Sequence, residues 1–590
     1  MAGTNDGNPL DALLQSLLDS PGELFTVLHN AWRDDLKEKT GVAGSALARL
    51  QNEGHASSFK LAHDALPKFS NAFDVMHILE QTVPHLDKIN IIDLFEFEKS
   101  VYETTKNDLA GGILRNKIIK RFESHPDEAR ETIKRHLEEP TDETGPIFIA
   151  AIIGLSAENF QEAVNVAIDS AESPTFSISA SAIAALGRIN FLEQEQPVEL
   201  ERVFKTIENH AYNPVSKLLY VSAMALQCIV ANNHCHHQKL MQLLDSNTKE
   251  GAHAVVEFLW RNQEEFKNNE LYYNLLNLCT KVQVEDKNTI EHLDFVLGDC
   301  LKDGRSKINI KFWLRDWVTK QTGNNTEIDI PEAFDSLFRE LLRQPEILGD
   351  IFTEWLIHDD LRLPAAIHKM SYAMAVHNFL TISFSPHLIS AMDKDDLILL
   401  TRRTIGWIFN ATIRINLLWS LTKADDAAKN TYGIVLSVFS DILGYEYPLD
   451  VKTLINAIRS DENDNELNSL CDEILRAIDT YAANLDRLAP VKEFHSLHEK
   501  YRILRKAREK EMSKAQEKAN ENSIILQLVS RVAVKAGTGS FSRLPDGRGY
   551  SARLPFTSYE TSITLPRSIV TNTVGSEIEL ILYRNSKRGD

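Results

Sequence analysis

Residues 145–325 alternate two kinds of apolar pattern, and this alternation restricts the possible folds more than any other feature of the chain. "GPIFIAAIIGLSAE", "FSISASAIAALGRINFL", "NPVSKLLYVSAMALQCIV" and "EGAHAVVEFLWRN" are apolar almost all round. Helices of that kind have to be sandwiched between neighbours. Between them lie helices with one apolar face, such as "PVELERVFKTIENH" and "NELYYNLLNLCTKV". Aligning the apolar helices puts Leu155, Leu186, Leu226 and Leu259 in one column, 31, 40 and 33 residues apart. Ile178, Ala182, Ala185 and Ile189 make one stripe, and Ala150, Ala151, Ala184 and Ala185 are small enough for close helix packing. Asn213 is expected as an N-cap, with Pro214 at the first helical position. Gly and Pro supply only 25 and 19 of 590 residues, so few breakers interrupt long helices.

An apolar helix paired with an amphipathic one every 30–40 residues is the pattern of a stacked helical-hairpin array. Over 145–325 the chain resembles HEAT and armadillo-type repeats in texture, with a drifting period and no fixed consensus. An irregular all-helical domain is the alternative. The resemblance implies an all-α fold of stacked helical hairpins, α-solenoid-like, whose broad surface takes a protein partner. Around it the chain is expected to hold four further regions. Residues 1–140 are an N-terminal helical region, opened by Leu10, Leu13, Leu14, Leu17 and Leu18 at helical spacing, and "EEPTDETGP" marks its polar end. Residues 326–486 continue the array, and 487–523 form a charged basic helix with a short seam of Leu497, Tyr501 and Leu504. Residues 524–590 carry β-branched runs, "SIILQLVSRVAV", "TSITLPRSIV" and "SEIELILYR", punctuated by three Leu-Pro pairs. This predicts a small β or extended C-terminal arm.

The formal charge is −20. Residues 501–520 hold seven Lys/Arg against three Glu, and 521–590 hold nine against six acids. An acidic body therefore carries a basic tail. The five cysteines, Cys228, Cys235, Cys279, Cys300 and Cys471, are dispersed, which fits a reducing, cytoplasmic setting. The N-terminus has acids and no basic region of the signal-peptide kind. "TIGWIFNATIRINLLWSL", Thr404 to Leu421, approaches spanning length but contains Asn410, Arg414 and Asn416. A central Arg costs about 2.5–3.5 kcal/mol in a bilayer, so a buried helix is expected and no membrane span.

"ANNHCHHQKL" places His234, Cys235, His236 and His237 together, a metal-ligand composition. Adjacent side chains point apart, and no second Cys/His pair stands at finger-like spacing. An inter-helix turn is expected instead, with Asn232 and Asn233 ending one helix in left-handed backbone. Leu240, Leu243 and Leu244 then face inward from the next helix. "HSLHEKY", with His495, His498 and Glu499, matches neither zinc-protease pattern. "KAGTGSFSRLPDGRG" lacks the Walker order and reads as a loop. Arg135 with His136, and Arg202 with His210, have no supporting feature for a ribonuclease-like site. Trp313 and Trp317, one turn apart, are expected in the core.

No catalytic signature emerges and no cofactor is implied. The leading expectation is a non-enzymatic scaffold or adaptor that binds a protein partner, with the basic arm as a second contact. Arg502, Arg505, Lys506, Arg508, Arg543, Arg548, Tyr550 and Arg553 are the candidate contacts. Charge and stacking over 500–553 also suit nucleic acid. The chain would then be an accessory subunit of a multi-component assembly such as bacterial antiviral defence. A third expectation is an enzyme with a helical active site that no motif reveals. Sequence leaves the oligomeric state open.

Overall fold

The computed structural model describes residues 9–38, 40–68, 72–105, 112–191, 196–233, 236–266, 269–302, 309–322, 328–423, 428–461, 465–487, 496–521, 533–536, 539–543, 549–553 and 572–589. It is all-α in class. The chain divides into two compact units, one of Met1–Ile351 with Asp360–Ala373, the other of Phe352–Asp359 with Met374–Asp590.

The first unit begins with α1 (Pro9–Ser16), α2 (Pro21–Asp34), α3 (Val42–Asn52), α4 (Ser58–Ala65), α5 (Ala72–Thr82) and α6 (Ile91–Thr105). Next come α7 (Gly112–Ser124), α8 (Pro126–Glu138), α9 (Gly145–Glu158), α10 (Phe160–Ala171), α11 (Phe176–Leu186), α12 (Pro197–Ala211), α13 (Leu219–Asn232) and α14 (Gln238–Asp245). α15 (Lys249–Arg261), α16 (Gln263–Phe266), α17 (Glu270–Leu278), α18 (Lys287–Lys302), α19 (Ile310–Lys320), α20 (Ile330–Ala333) and α21 (Asp335–Leu342) follow. The unit boundaries fall inside α22 (Pro345–Leu356), inside α23 (Arg362–Val376) and between the two.

One series of helices packs each member on the next: α3 on α5, α5 on α7, α7 on α9, α9 on α11, α11 on α13, α13 on α15, α15 on α18, and α18 on α21. α8, α10, α12 and α14 pack against members of this series. Leu155, Leu186, Leu226 and Leu259 each lie fully buried on α9, α11, α13 and α15. Burying one Leu side chain contributes about 1.5–3 kcal/mol, so this column is a main source of cohesion. Close approach is built in at Gly154, where a Cβ would lie 2.4 Å from Phe122 Cβ and 3.0 Å from the Ile119 carbonyl. Only glycine lets α9 sit that near α7.

Polar links join positions one hairpin apart along the same unit. Arg130 Nε and Nη2 donate to Glu162 at 2.9 and 2.8 Å, 32 residues on. Asn233 Nδ2 donates to the Phe191 carbonyl at 3.1 Å, and Trp313 Nε1 to the Leu276 carbonyl at 2.8 Å. Asp294 accepts the Ser336 and Leu337 amides, both at 2.8 Å. A buried pair ties α7 to α8: Arg121 Nε and Nη2 each reach Glu128 at 2.8 Å. Arg121 also donates to the Leu86 and Asp87 carbonyls, and Glu128 accepts the Ile89 amide at 3.1 Å. Trp313 and Trp317 are core residues.

Two local expectations in this unit are corrected. α13 starts at Leu219, not at Pro214. Asn213 instead accepts the Val215 amide in an Asx turn at 3.2 Å, the local bond that lets Asn-Pro initiate turns. Asn233 ends α13 with φ −131°, outside the left-handed region. Its amide bonds to Phe191 and to Ile229 fix it there and remove the need for left-handed backbone.

The second unit contains α24 (Pro386–Ser390), α25 (Lys394–Trp407), α26 (Ala411–Trp419), α27 (Ala428–Val438), a π turn at Phe439–Leu443, α28 (Gly444–Glu446), α29 (Pro448–Asp461), α30 (Asn465–Asp486), α31 (Ser496–Glu521) and α32 (Thr573–Arg584). α25 packs with α26, α27 and α32; α30 packs with α27 and α29. The apolar stretch Thr404–Leu421 breaks at 408–410 into α25 and α26, with Asn410 Oδ1 capping the Ile413 amide at 3.0 Å. Arg414 is buried there and donates to the Ile408 carbonyl at 2.6 Å. Among the described residues, no helix is long and apolar enough to cross a membrane.

Beyond α31, backbone pairing is antiparallel in the order β1 (Ala533–Ala536), β2 (Gly539–Arg543), β3 (Gly549–Arg553). The expected β character of "SEIELILYR" is corrected, because Thr573–Arg584 is helical. Asn572 Oδ1 accepts the Gly575 amide at 3.1 Å, an N-cap that starts a helix.

Candidate functional site

The inward residues of α9–α18 are consumed by packing, so any binding chemistry has to come from the face left over. On α11 that face carries Phe176, Ala180 and Ala184; on α13 it carries Tyr220, Met224 and Cys228. On α15 it carries His253, Glu257, Trp260 and Arg261, and on α18 His292 and Phe295. The step of four residues is the helical repeat that keeps side chains on one face.

Side chains of α13, α15 and α18 converge into one cluster. Tyr220 stacks beside His253 with ring centroids 6.1 Å apart, and His253 beside His292 at 6.0 Å. Trp260 lies nearly parallel to His292, 10° between planes and 4.3 Å between centroids. Beneath them the Glu257 carboxylate is only 4% exposed. It meets His292 Nδ1 at 2.8 Å and Arg261 Nε at 2.5 Å. His253 Nδ1 contacts Thr289 Oγ1 at 2.9 Å.

The electrostatics favour a settled surface over a reactive one. Burial pushes His253 below the usual imidazole range, against the pull of Glu257, which favours the charged form. Burial also pushes the Cys228 thiol up, although Arg261 and Arg188 oppose it. A thiol with a raised pKa is a poor nucleophile at neutral pH. At the start of α18 burial pushes the Asp286 carboxyl up. Lys249 opposes that shift, and Glu285 and Glu250 add to it. Glu257 has His292 and Arg261 as charge neighbours, although its Oε2 and His292 Nδ1 are buried without a well-formed hydrogen bond. The arrangement holds an aromatic platform in place and presents no base beside an ionised nucleophile. A smaller version occurs on α2 and α5, where Trp32 stacks on His29 at 5.5 Å and on His77 at 5.4 Å.

The residues singled out from sequence lie elsewhere. His234 and Cys235 fall outside the described residues; His236 and His237 lie between α13 and α14. His236 packs on Phe204 at 4.7 Å, and His237 meets Phe266 edge-on at 5.9 Å. Among the described residues, no group of three His, Cys, Asp or Glu could hold a metal ion. His136 contacts Thr144 Oγ1 at 2.9 Å, and Arg135 pairs with Glu139 at 2.7 Å. His210 contacts Ser216 Oγ at 3.0 Å, while Arg202 donates to Asn165.

Arg502, Arg505, Lys506 and Arg508 share α31, where every side chain described from 502 to 515 is exposed. Arg505 pairs with Glu509 at 3.0 Å. Arg543, Tyr550 and Arg553 belong to β2 and β3, where the backbone pairs Ser542 with Tyr550 and Gly539 with Arg553. Arg548 and His495 lie outside the described residues.

Sequence reasoning missed Tyr220, His253, Glu257, Trp260, His292 and Phe295. A signal was present: in "AHAVVEFLWR", His253, Glu257 and Arg261 interrupt an otherwise apolar helix at intervals of four. No family model matches the chain, and no curated protein is similar to it. The crystal structure of an engineered protein aligns with 80% of this chain and 99% of its own length, at 13% identity and a TM-score of 0.20. A likeness that low carries nothing about fold or function.

Proposed function

We propose that this chain is a non-enzymatic scaffold of α-solenoid type that binds a protein partner through the face shared by α11, α13, α15 and α18. One observation carries the reading. Phe176, Tyr220, Trp260 and Phe295 stand 50%, 54%, 39% and 46% exposed on helices that pack each on the next. Large aromatics are the residues that dominate interface energetics, and a run of them on a surface marks a binding site. The solenoid part of the proposal is supported by the serial packing and by polar links one hairpin apart. The few, dispersed cysteines support a reducing, cytoplasmic setting.

The test compares the full chain with a Tyr220→Ser, Trp260→Ala, Phe295→Ala variant as baits in native extract. Quantitative mass spectrometry reads the captured proteins, and circular dichroism checks that the fold is kept. The variant loses a partner that wild type retains in stoichiometric amount. Identical captured sets, or no partner on wild type, overturn the proposal.

A second reading rests on the exposed basic residues of α31, with the β arm as a further contact: association with nucleic acid over 500–553. It predicts salt-dependent anisotropy with a labelled single-stranded oligonucleotide. That signal weakens when Arg502, Arg505, Lys506 and Arg508 become Ala. Absent or salt-independent binding removes this reading.

A further inference from the structure

The C-terminal helix is held by a different kind of contact from the rest of its unit. None of the twelve residues of α32 is buried. Of its large apolar side chains, Val574, Ile578, Ile581 and Leu582 are 46–68% exposed, and Leu580 and Tyr583 are half-buried. A helix of that length is marginal on its own, and helices in proteins owe most of their stability to a buried apolar face. α32 buries no side chain fully, and beside the half-buried Leu580 and Tyr583 it is the polar contacts at its C-terminal end that fix it.

Arg403, on α25, is 3% exposed and donates from Nε and Nη2 to the Ser586 carbonyl at 3.2 and 3.0 Å. Arg584 Nε donates to the Gly406 carbonyl at 2.8 Å. The same guanidinium lies over Trp407 and Phe409, 5.4 and 4.9 Å from the ring centroids. Arg588 pairs with Asp396. The seat is tight at Gly406, where a Cβ would lie 2.7 Å from the Arg584 amide nitrogen.

α25 does not depend on α32 in return. Its Leu397, Leu400 and Ile405 are buried, and α25 also packs on α26 and α27. Arg403 keeps two further acceptors, the Leu356 and His358 carbonyls at 3.0 and 2.6 Å, if Ser586 leaves.

We propose that α32 is a releasable latch: it detaches from α25 as a unit, uncovering Arg403 and Trp407, while α25 and α26 stay folded. Elements with few buried apolar contacts open at the low end of a protein's free-energy range. This inference is independent of the scaffold reading.

Hydrogen exchange with mass spectrometry on the full chain, across sub-denaturing urea, tests it. In wild type, peptides covering 576–586 exchange faster than those covering 397–407 and 411–419, with little urea dependence. Gly406→Ala places a methyl in the seat, and Ala is the better helix former within α25. It speeds exchange of α32 by about tenfold or more, as overpacking does, and leaves α25 and α26 unchanged. Arg588→Gln, which removes the cation of a pair whose Asp396 side chain is 14% exposed, speeds it at least about two- to fivefold. Three results overturn the proposal: wild-type α32 exchanging in step with α25 across urea, Gly406→Ala accelerating both helices equally, or Gly406→Ala leaving α32 unaffected.

Discussion

Replacing Glu128 by Ala isolates Arg121, a guanidinium that the first unit buries against that carboxylate. The Arg121 and Glu128 side chains are 3% and 8% exposed and share two bonds of 2.8 Å. Without the carboxylate, the guanidinium stays buried with only the Leu86 and Asp87 carbonyls, and the Ile89 amide loses its acceptor. Leaving one member of a buried pair uncompensated costs about 3–5 kcal/mol. The double variant Arg121→Met, Glu128→Leu removes both charges and refills the space. It leaves the Leu86 and Asp87 carbonyls short of a donor and, like the single variant, the Ile89 amide short of an acceptor, at about 1–3 kcal/mol for each group that stays dry, but it strands no buried charge. A chain of this size does not unfold in two states, so the measurement has to be local. Hydrogen exchange of peptides covering α7, α8 and the 86–89 segment reads the opening free energy there. The single variant should be the less stable of the two, reversing the usual order of one change against two. A single variant within about 1 kcal/mol of wild type, or a double variant that is worse, refutes the reasoning.

Three further outcomes follow from named residues. Burial holds His136 down to about 4, whereas the unfolded chain protonates near pH 6.5. The unfolded state therefore binds the proton first, so stability at α8–α9 falls as pH drops from about 6.5 to 4, by on the order of 3 kcal/mol; His136→Gln should flatten that slope in urea titrations at pH 7 and 4.5. Gly154→Ala should destabilise the α7–α9 contact by about 1–3 kcal/mol despite better helix propensity, read as faster exchange in α9; an unchanged or more stable α9 argues against the close approach. With an aromatic disulfide reagent at pH 7.4, Cys228 should react before Cys279, which is fully buried with its thiol pushed up to about 12; simultaneous reaction without unfolding contradicts that.

The helices that were legible from sequence are those whose burial runs all round. Leu155, Leu186, Leu226 and Leu259 could be aligned because a sandwiched helix is mostly apolar on its packed faces, with few exceptions such as Ser222 and Gln227, and all four are fully buried. Local bonding was harder to read. Asn213 and Pro214 satisfy the rule for a helix start equally well as the rule for a turn, and the Asx bond to Val215 decides it. "SEIELILYR" is ambiguous by period: Ile578, Leu580 and Leu582 alternate as in a strand, while Val574, Ile578 and Leu582 repeat as in a helix. The Asn572 cap and the seat on α25 select the helix. The division of the chain falls within α22, within α23 and between the two, where no Gly/Pro-rich linker marks it.

The candidate site was harder to see for a related reason. Its aromatics look like core residues until the core has been subtracted. Trp313 and Trp260 are indistinguishable by type, yet Trp313 donates to a carbonyl inside the unit and Trp260 covers His292 at the surface. What separates them is the company each keeps within two turns of its helix. Trp313 has Trp317 one turn on, apolar and buried. Trp260 has Glu257 and Arg261 beside it, and His253 two turns back. In a helix packed on two neighbours, long charged side chains gather on or beside the strip that neither neighbour covers, whereas small polar ones such as Ser179, Ser181 and Ser222 can be buried. A column of the long charged ones therefore marks the outward face, and any aromatic on that column is solvent-facing. Applied to "FSISASAIAALGR", the rule carries from Arg188 back through Ala184 and Ala180 to Phe176, which is half exposed. The strip proposed to bind a partner thus follows from subtracting packed positions, and surface aromatics on it need no motif to be found.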